Sequence, residues 1–172
     1  FERQPGTPTF IGPGRPTFDL VGYSATDFTD HLSPVGPLQV MVYGDLGIVL
    51  ADSASLARDP DGAVVLSPAA FCVVKLLTLR VEKGSKDKLQ ALLVIAERGN
   101  EEQFAESMRR LLARFDPDRQ DDALADSQAA FLSLQQDPDF RDRGAEGYLS
   151  FLQKAEMGCG ILNDLLAAPK NG

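Results

Sequence analysis

The chain has 172 residues, 44% of them hydrophobic and 24% charged, and its 25 acidic against 17 basic side chains leave a formal charge of −8. That length can bury a core without metal or disulfide staples. No cluster of Lys and Arg is present to release counterions from a phosphate backbone, so neither nucleic acid nor a bare anionic membrane surface is an expected partner.

Residues 1–37 hold six of the eleven prolines and five glycines, a density that forbids a continuous helix and predicts an extended, Pro/Gly-rich arm. The arm carries Phe1, Phe10, Phe18, Tyr23 and Phe28, large rings with no local core to receive them. They are the candidate partner-docking residues, either on another protein or folded back on the chain's own body. His31, the single histidine, lies in "TDHLSP" inside the arm, where a solvated or capping role is more common than that of a catalytic base.

From Leu38 onward the spacing predicts a helical body over residues 38–172. The segment 37–59 is read as helix, although Gly44 and Gly47 weaken it and Val40, Val42, Ile48 and Val49 would also suit a hairpin. "DPDG" at 59–62 predicts a turn between two helices. The apolar run Ala63 to Leu79 contains Pro68 and Lys75 and is followed by Arg80, so a transmembrane span is not expected and the chain is at most peripheral to a membrane. Ser67 as cap with Pro68 behind it predicts a helix start, and Ser85 and Gly99 bracket the next helix.

"NEEQFAESMRRLLARF" (100–115) places Phe104, Met108, Leu111, Leu112 and Phe115 on one face, with Asn100 and Gln103 as a capping box and Glu106 within reach of Arg110. Asp116-Pro117 and Asp137-Pro138 follow N-cap grammar. After the first of these, Asp118, Asp121 and Asp122 load the positive end of a helix whose apolar face is Leu124, Phe131 and Leu134. The last helix, 145–169, carries Tyr148, Leu152, Ala155, Cys159, Leu162 and Leu166 in one stripe. Gly158 and Gly160 within it suggest close approach by another backbone, or a kink.

Chemistry is sparse. A calcium loop begun at Asp116 would put Asp121 where glycine is required and Ser127 where a bidentate Glu belongs, and zinc would have to use one histidine and two distant cysteines. No metal, cofactor or catalytic set is therefore expected. Cys72 and Cys159 read as buried free thiols, with a disulfide left open.

A Pro-rich arm, a helical body and a long C-terminal helix together resemble the small extrinsic, PsbQ-like subunits of algal photosystem complexes. An opening of "FERQPG" is similar to processed plastid proteins, which would place a trimmed or mature chain at the plastid thylakoid. The expected class is all-α, a four- to five-helix up-down bundle behind an extended arm, acting as a non-catalytic accessory or assembly subunit whose partners are other protein subunits. Two alternatives stand beside it: a small soluble enzyme with a site near His31 or the Asp118–Asp122 cluster, and a viral or secretion-system structural protein with exchanged arms.

Overall fold

The computed structural model describes residues 2–3, 9–11, 13–14, 17–19, 21–22, 31–58, 60–62, 64–77, 84–137 and 145–167. The chain divides into two compact units, Phe1–Ala51 and Asp52–Gly172. The described residues are mostly helical, but they also contain eight short strands, so the all-α expectation holds only in its coarser form.

In the N-terminal unit, β1 (Glu2–Arg3), β2 (Thr9–Ile11) and β3 (Thr17–Asp19) form an antiparallel sheet in that order. A second sheet sets β6 (Leu38–Val42) between β4 (Val21–Gly22), which is parallel to it, and β5 (His31–Val35), which is antiparallel. The segment expected as helix from 37 is therefore a strand at its start, because Val40 and Val42 find a ladder partner in β5. Gly36-Pro37 closes the hairpin with Gly36 at φ +58°, a conformation open to glycine at the first central position of a two-residue turn. Helix α1 (Gly44–Leu50) follows despite its two glycines and lies in the first compact unit.

The second unit opens with a 3-10 turn (Ser53–Ser55) and the hairpin of β7 (Leu56–Arg58) and β8 (Val64–Leu66). "DPDG" thus joins two strands, not two helices. Gly62 takes φ +83°, and its carbonyl accepts a bond of 2.9 Å from the Arg58 guanidinium. Helices α2 (Pro68–Leu77), α3 (Gly84–Arg98), α4 (Glu102–Leu112), α5 (Pro117–Gln136) and α6 (Ala145–Ala167) complete the unit. Pro68 begins α2 as expected, and the Ser67 hydroxyl accepts the Ala70 N–H at 3.3 Å.

Helix α3 lies at the centre, packed against α2, α5 and α6, while α2 also packs on α4. Its buried positions recur in pairs one turn apart, Asp87/Lys88, Ala91/Leu92 and Ile95/Ala96, so nearly half its circumference faces neighbours. At Gly158 of α6 an added Cβ would fall on the Leu92 carbonyl and stand 2.8 Å from its carbon, the close backbone approach that this glycine suggested. Gly160 has nothing within 4 Å and plays no such part.

The amphipathic face of α4 is as expected, with Phe104, Met108, Leu111 and Leu112 buried and Phe115 just beyond them. Its start differs. Glu101, not Asn100, stands at the N-cap without a side-chain capping bond, so the Asn100–Gln103 box is out of register, and the Glu101 carboxylate accepts a forked pair from Arg98 at 2.8 to 3.2 Å. Glu106 lies 3.6 Å from Arg109, while Arg110 reaches Asp52.

Helix α5 starts at Pro117 behind Asp116, as the Asp-Pro pair predicts, although the Asp116 side chain makes no capping bond. It buries Gln120, Ala123, Ser127 and Ala130, leaving the expected Leu124, Phe131 and Leu134 only half-buried. Small residues allow the closest approach, and the two polar ones satisfy themselves locally. Gln120 donates to the Phe115 carbonyl at 2.8 Å and the Ser127 hydroxyl to the Ala123 carbonyl at 2.6 Å. Asp137 is the C-cap of α5; the N-cap role expected of Asp137-Pro138 falls on residues outside those described.

Candidate docking surface

The two hairpins expose Leu32, Val35, Leu56, Val64 and Val65, while the helices bury most of their apolar side chains and leave Leu132 of α5 and Leu149 and Met157 of α6 exposed. Among the described strands, β5 lies at an edge of its sheet. Leu32 and Pro34 share its exposed face, and Val35 at the turn is 57% accessible. A two-residue turn makes Val35 and Leu38 a hydrogen-bonded pair, so the alternation along the ladder turns the backbone groups of Leu32 and Pro34 outward. Pro34 has no N–H to offer there, which blunts the edge as prolines on edge strands do.

The second hairpin lacks that protection. Leu56, Val64 and Val65 are exposed, Val64 at 58%, and among the described residues no third strand pairs with β7 or β8. The Ser67 N–H donates to the Ser55 carbonyl at 2.7 Å, which makes 55/67 and 57/65 the hydrogen-bonded pairs and turns the backbone groups of Leu56, Arg58, Val64 and Leu66 outward.

This hairpin is anchored from below by charge. Asp52 accepts the Ala54 N–H at 2.9 Å and the Arg110 Nε at 2.9 Å, with Arg114 at 3.6 Å. The Ala54 N–H, then the two guanidinium groups, hold the Asp52 carboxyl below the usual range against the opposing effect of its burial.

Phe10 and Phe18 are Cα register partners on β2 and β3; Phe1, Tyr23 and Phe28 lie outside the described residues. His31 is half-buried at the start of β5, opposite Val42. Asp118, Asp121 and Asp122 are exposed on the first turns of α5, and among the described residues no three His, Cys, Asp or Glu side chains are grouped as a metal would need. No helix there is long and apolar enough to cross a membrane.

Cys72 and Cys159 are free thiols. Burial pushes them up to about 12 and about 11, so neither supplies a thiolate near neutral pH. The apolar settings of both were legible in the sequence. The buried lysine was not. Lys88 is 3% exposed and donates to the Leu76 carbonyl, while Arg119 donates to the Leu77 carbonyl at 3.2 Å and Lys75 pairs with Asp87 at 2.6 Å. Burial draws the Lys88 ammonium below its ordinary range. Together Lys88 and Arg119 bring two cationic donors to the carbonyls of Leu76 and Leu77, the last described residues of α2, where the helix dipole favours positive charge.

Sequence reasoning also missed the β7–β8 hairpin, because "AVVL" after "DPDG" merged with α2 into one apolar run. The signal that could have found it is the Asp-Gly turn flanked by Leu56-Ala57-Arg58 and Val64-Val65-Leu66. Compared with protein-family models, curated proteins and solved structures, the chain has no match.

Proposed function

We propose that the chain is a non-catalytic accessory or assembly subunit of a larger protein complex, docked through the apolar residues of its N-terminal unit. The helical body, read as an up-down bundle, is the rigid carrier. The observation that supports this reading is the exposed edge strand β5, which leaves Leu32 and Val35 in water within a unit that also holds the aromatic-rich arm. Exposed apolar groups gathered on one strand cost solvation unless a partner covers them. Exposed Asp118, Asp121 and Asp122 on α5 would orient docking through complementary charge, favouring a partner with a basic patch. An extrinsic photosystem subunit of PsbQ-like layout is one instance of this class.

The test is incorporation. In native extract the chain should migrate with a large particle. Deleting residues 1–30, or substituting Leu32→Lys together with Val35→Lys, should abolish that migration while leaving the helical circular-dichroism signal intact. A chain that migrates alone in native extract, or one whose incorporation survives both changes, overturns the reading. Identification of what co-purifies decides whether the particle is a photosystem.

A further inference from the structure

The geometry points to a second copy of this chain as the occupant of the β8 edge, giving a two-fold dimer through a continuous sheet β7-β8-β8-β7. This goes beyond docking by the N-terminal unit and draws on none of its residues.

The backbone sets the register. Val64 and Leu66 turn their N–H and carbonyl groups away from β7, and the residue between them, Val65, bonds inward to Ala57. An antiparallel copy centred on Val65 would oppose Val64 of one protomer to Leu66 of the other, twice over. Each pairing exchanges two backbone hydrogen bonds, so the contact is self-complementary, as a two-fold interface requires. Leu56, Leu66 and Val64 lie on one face of the hairpin, and joining two hairpins doubles that strip.

Charge selects the copy over a foreign partner, and β8 over β7. Residues 63–74 contain no charged side chain in a chain that carries −8, so this is a place where two acidic copies meet without apposing carboxylates. A basic partner would gain nothing here and would seek the carboxylates of α5 instead. The β7 edge holds Arg58, and a two-fold pairing there would bring two guanidinium groups into one short ladder. The edge also lacks the proline that blunts β5 and the inward charge that protects many edges; it presents two adjacent β-branched residues.

Val64→Pro tests the edge with little else changed. It removes an outward N–H but none of the bonds within the hairpin, which run through residues 55, 57, 65 and 67. Val64→Lys is the second variant: at an exposed position it should fold, and it would set two ammonium groups near each other across the two-fold. Sedimentation velocity of the full chain over a concentration series should show a monomer–dimer equilibrium, and amide exchange at Val64 and Leu66 should slow as concentration rises. Both variants should lose the rise in sedimentation coefficient, while Val35→Lys keeps it. A chain that stays monomeric at the highest concentration reached, or a dimer that persists unchanged in both Val64 variants, overturns the inference. Either failure leaves docking through β5 standing, because incorporation is read in other variants.

Discussion

Within one unit, the α3–α6 crossing and the β7–β8 hairpin are opposites. The crossing is so close that the Leu92 carbonyl occupies the place a methyl on Gly158 would need, whereas the hairpin leaves Leu56, Val64 and Val65 in solvent. The difference teaches where the free energy of this unit resides. Burial of Leu92, Ile95, Met108 and Leu162 stabilises the helices, and the hairpin contributes little beyond its own ladder. A surface that stability does not need is free to serve recognition.

That contrast can be broken most forcefully inside the helices. Leu162→Ala, at a fully buried position, should cost about 2–5 kcal/mol by chemical denaturation, from lost transfer energy and the cavity left behind. Gly158→Ala should cost about 1–3 kcal/mol or more, because the clash is with backbone, which cannot rotate aside. Gly160→Ala, two residues away with open space around it, should instead stabilise by about 1 kcal/mol through helix propensity alone. Equal effects at the two glycines would show that α6 does not lie as close to α3 as described.

The anchor of the hairpin gives a signature in pH. The Asp52 carboxyl is held below its ordinary value in the folded chain, so its contribution is present in full above the unfolded value of about 3.9 and is lost as pH falls through the lower, folded value. Thermal melts should therefore place Asp52→Asn below the parent chain at neutral pH, with the gap closing at pH below about 3.9. A gap that is constant through that acid range would mean that the carboxylate charge does not hold the hairpin. The smallest effect is expected on the hairpin's own surface. Val65→Thr, exposed and still β-branched, should move stability by less than about 0.5 kcal/mol. A larger loss in a dilute, monomeric sample would make the hairpin part of the core and end the comparison.

Much of the helical body was legible because its signals are local. Phe104, Met108, Leu111 and Leu112 recur at the period of a helix, Pro68 and Pro117 sit at first helical positions, and Gly158 breaks propensity where it needs to. The docking surface was less legible. The arm aromatics were visible as a composition, yet the exposed apolar residues that the structure describes on strands are those of β5 and the β7–β8 hairpin. Val40 and Val42 satisfy helix and strand patterns alike, and the choice between them belonged to β5, which supplies the ladder.

The sequence by itself determined the acidic charge, the helical periods from residue 67 onward and the punctuation by proline and glycine, because each depends on neighbours within a turn or two. Tertiary structure alone decided that Gln120 and Ser127 go inside while Leu124 and Leu134 do not, that Lys88 is buried against the end of α2, and that one strand edge is blunted and another open. Those outcomes depend on which backbone passes nearby, and that is set by contacts between residues far apart in the chain.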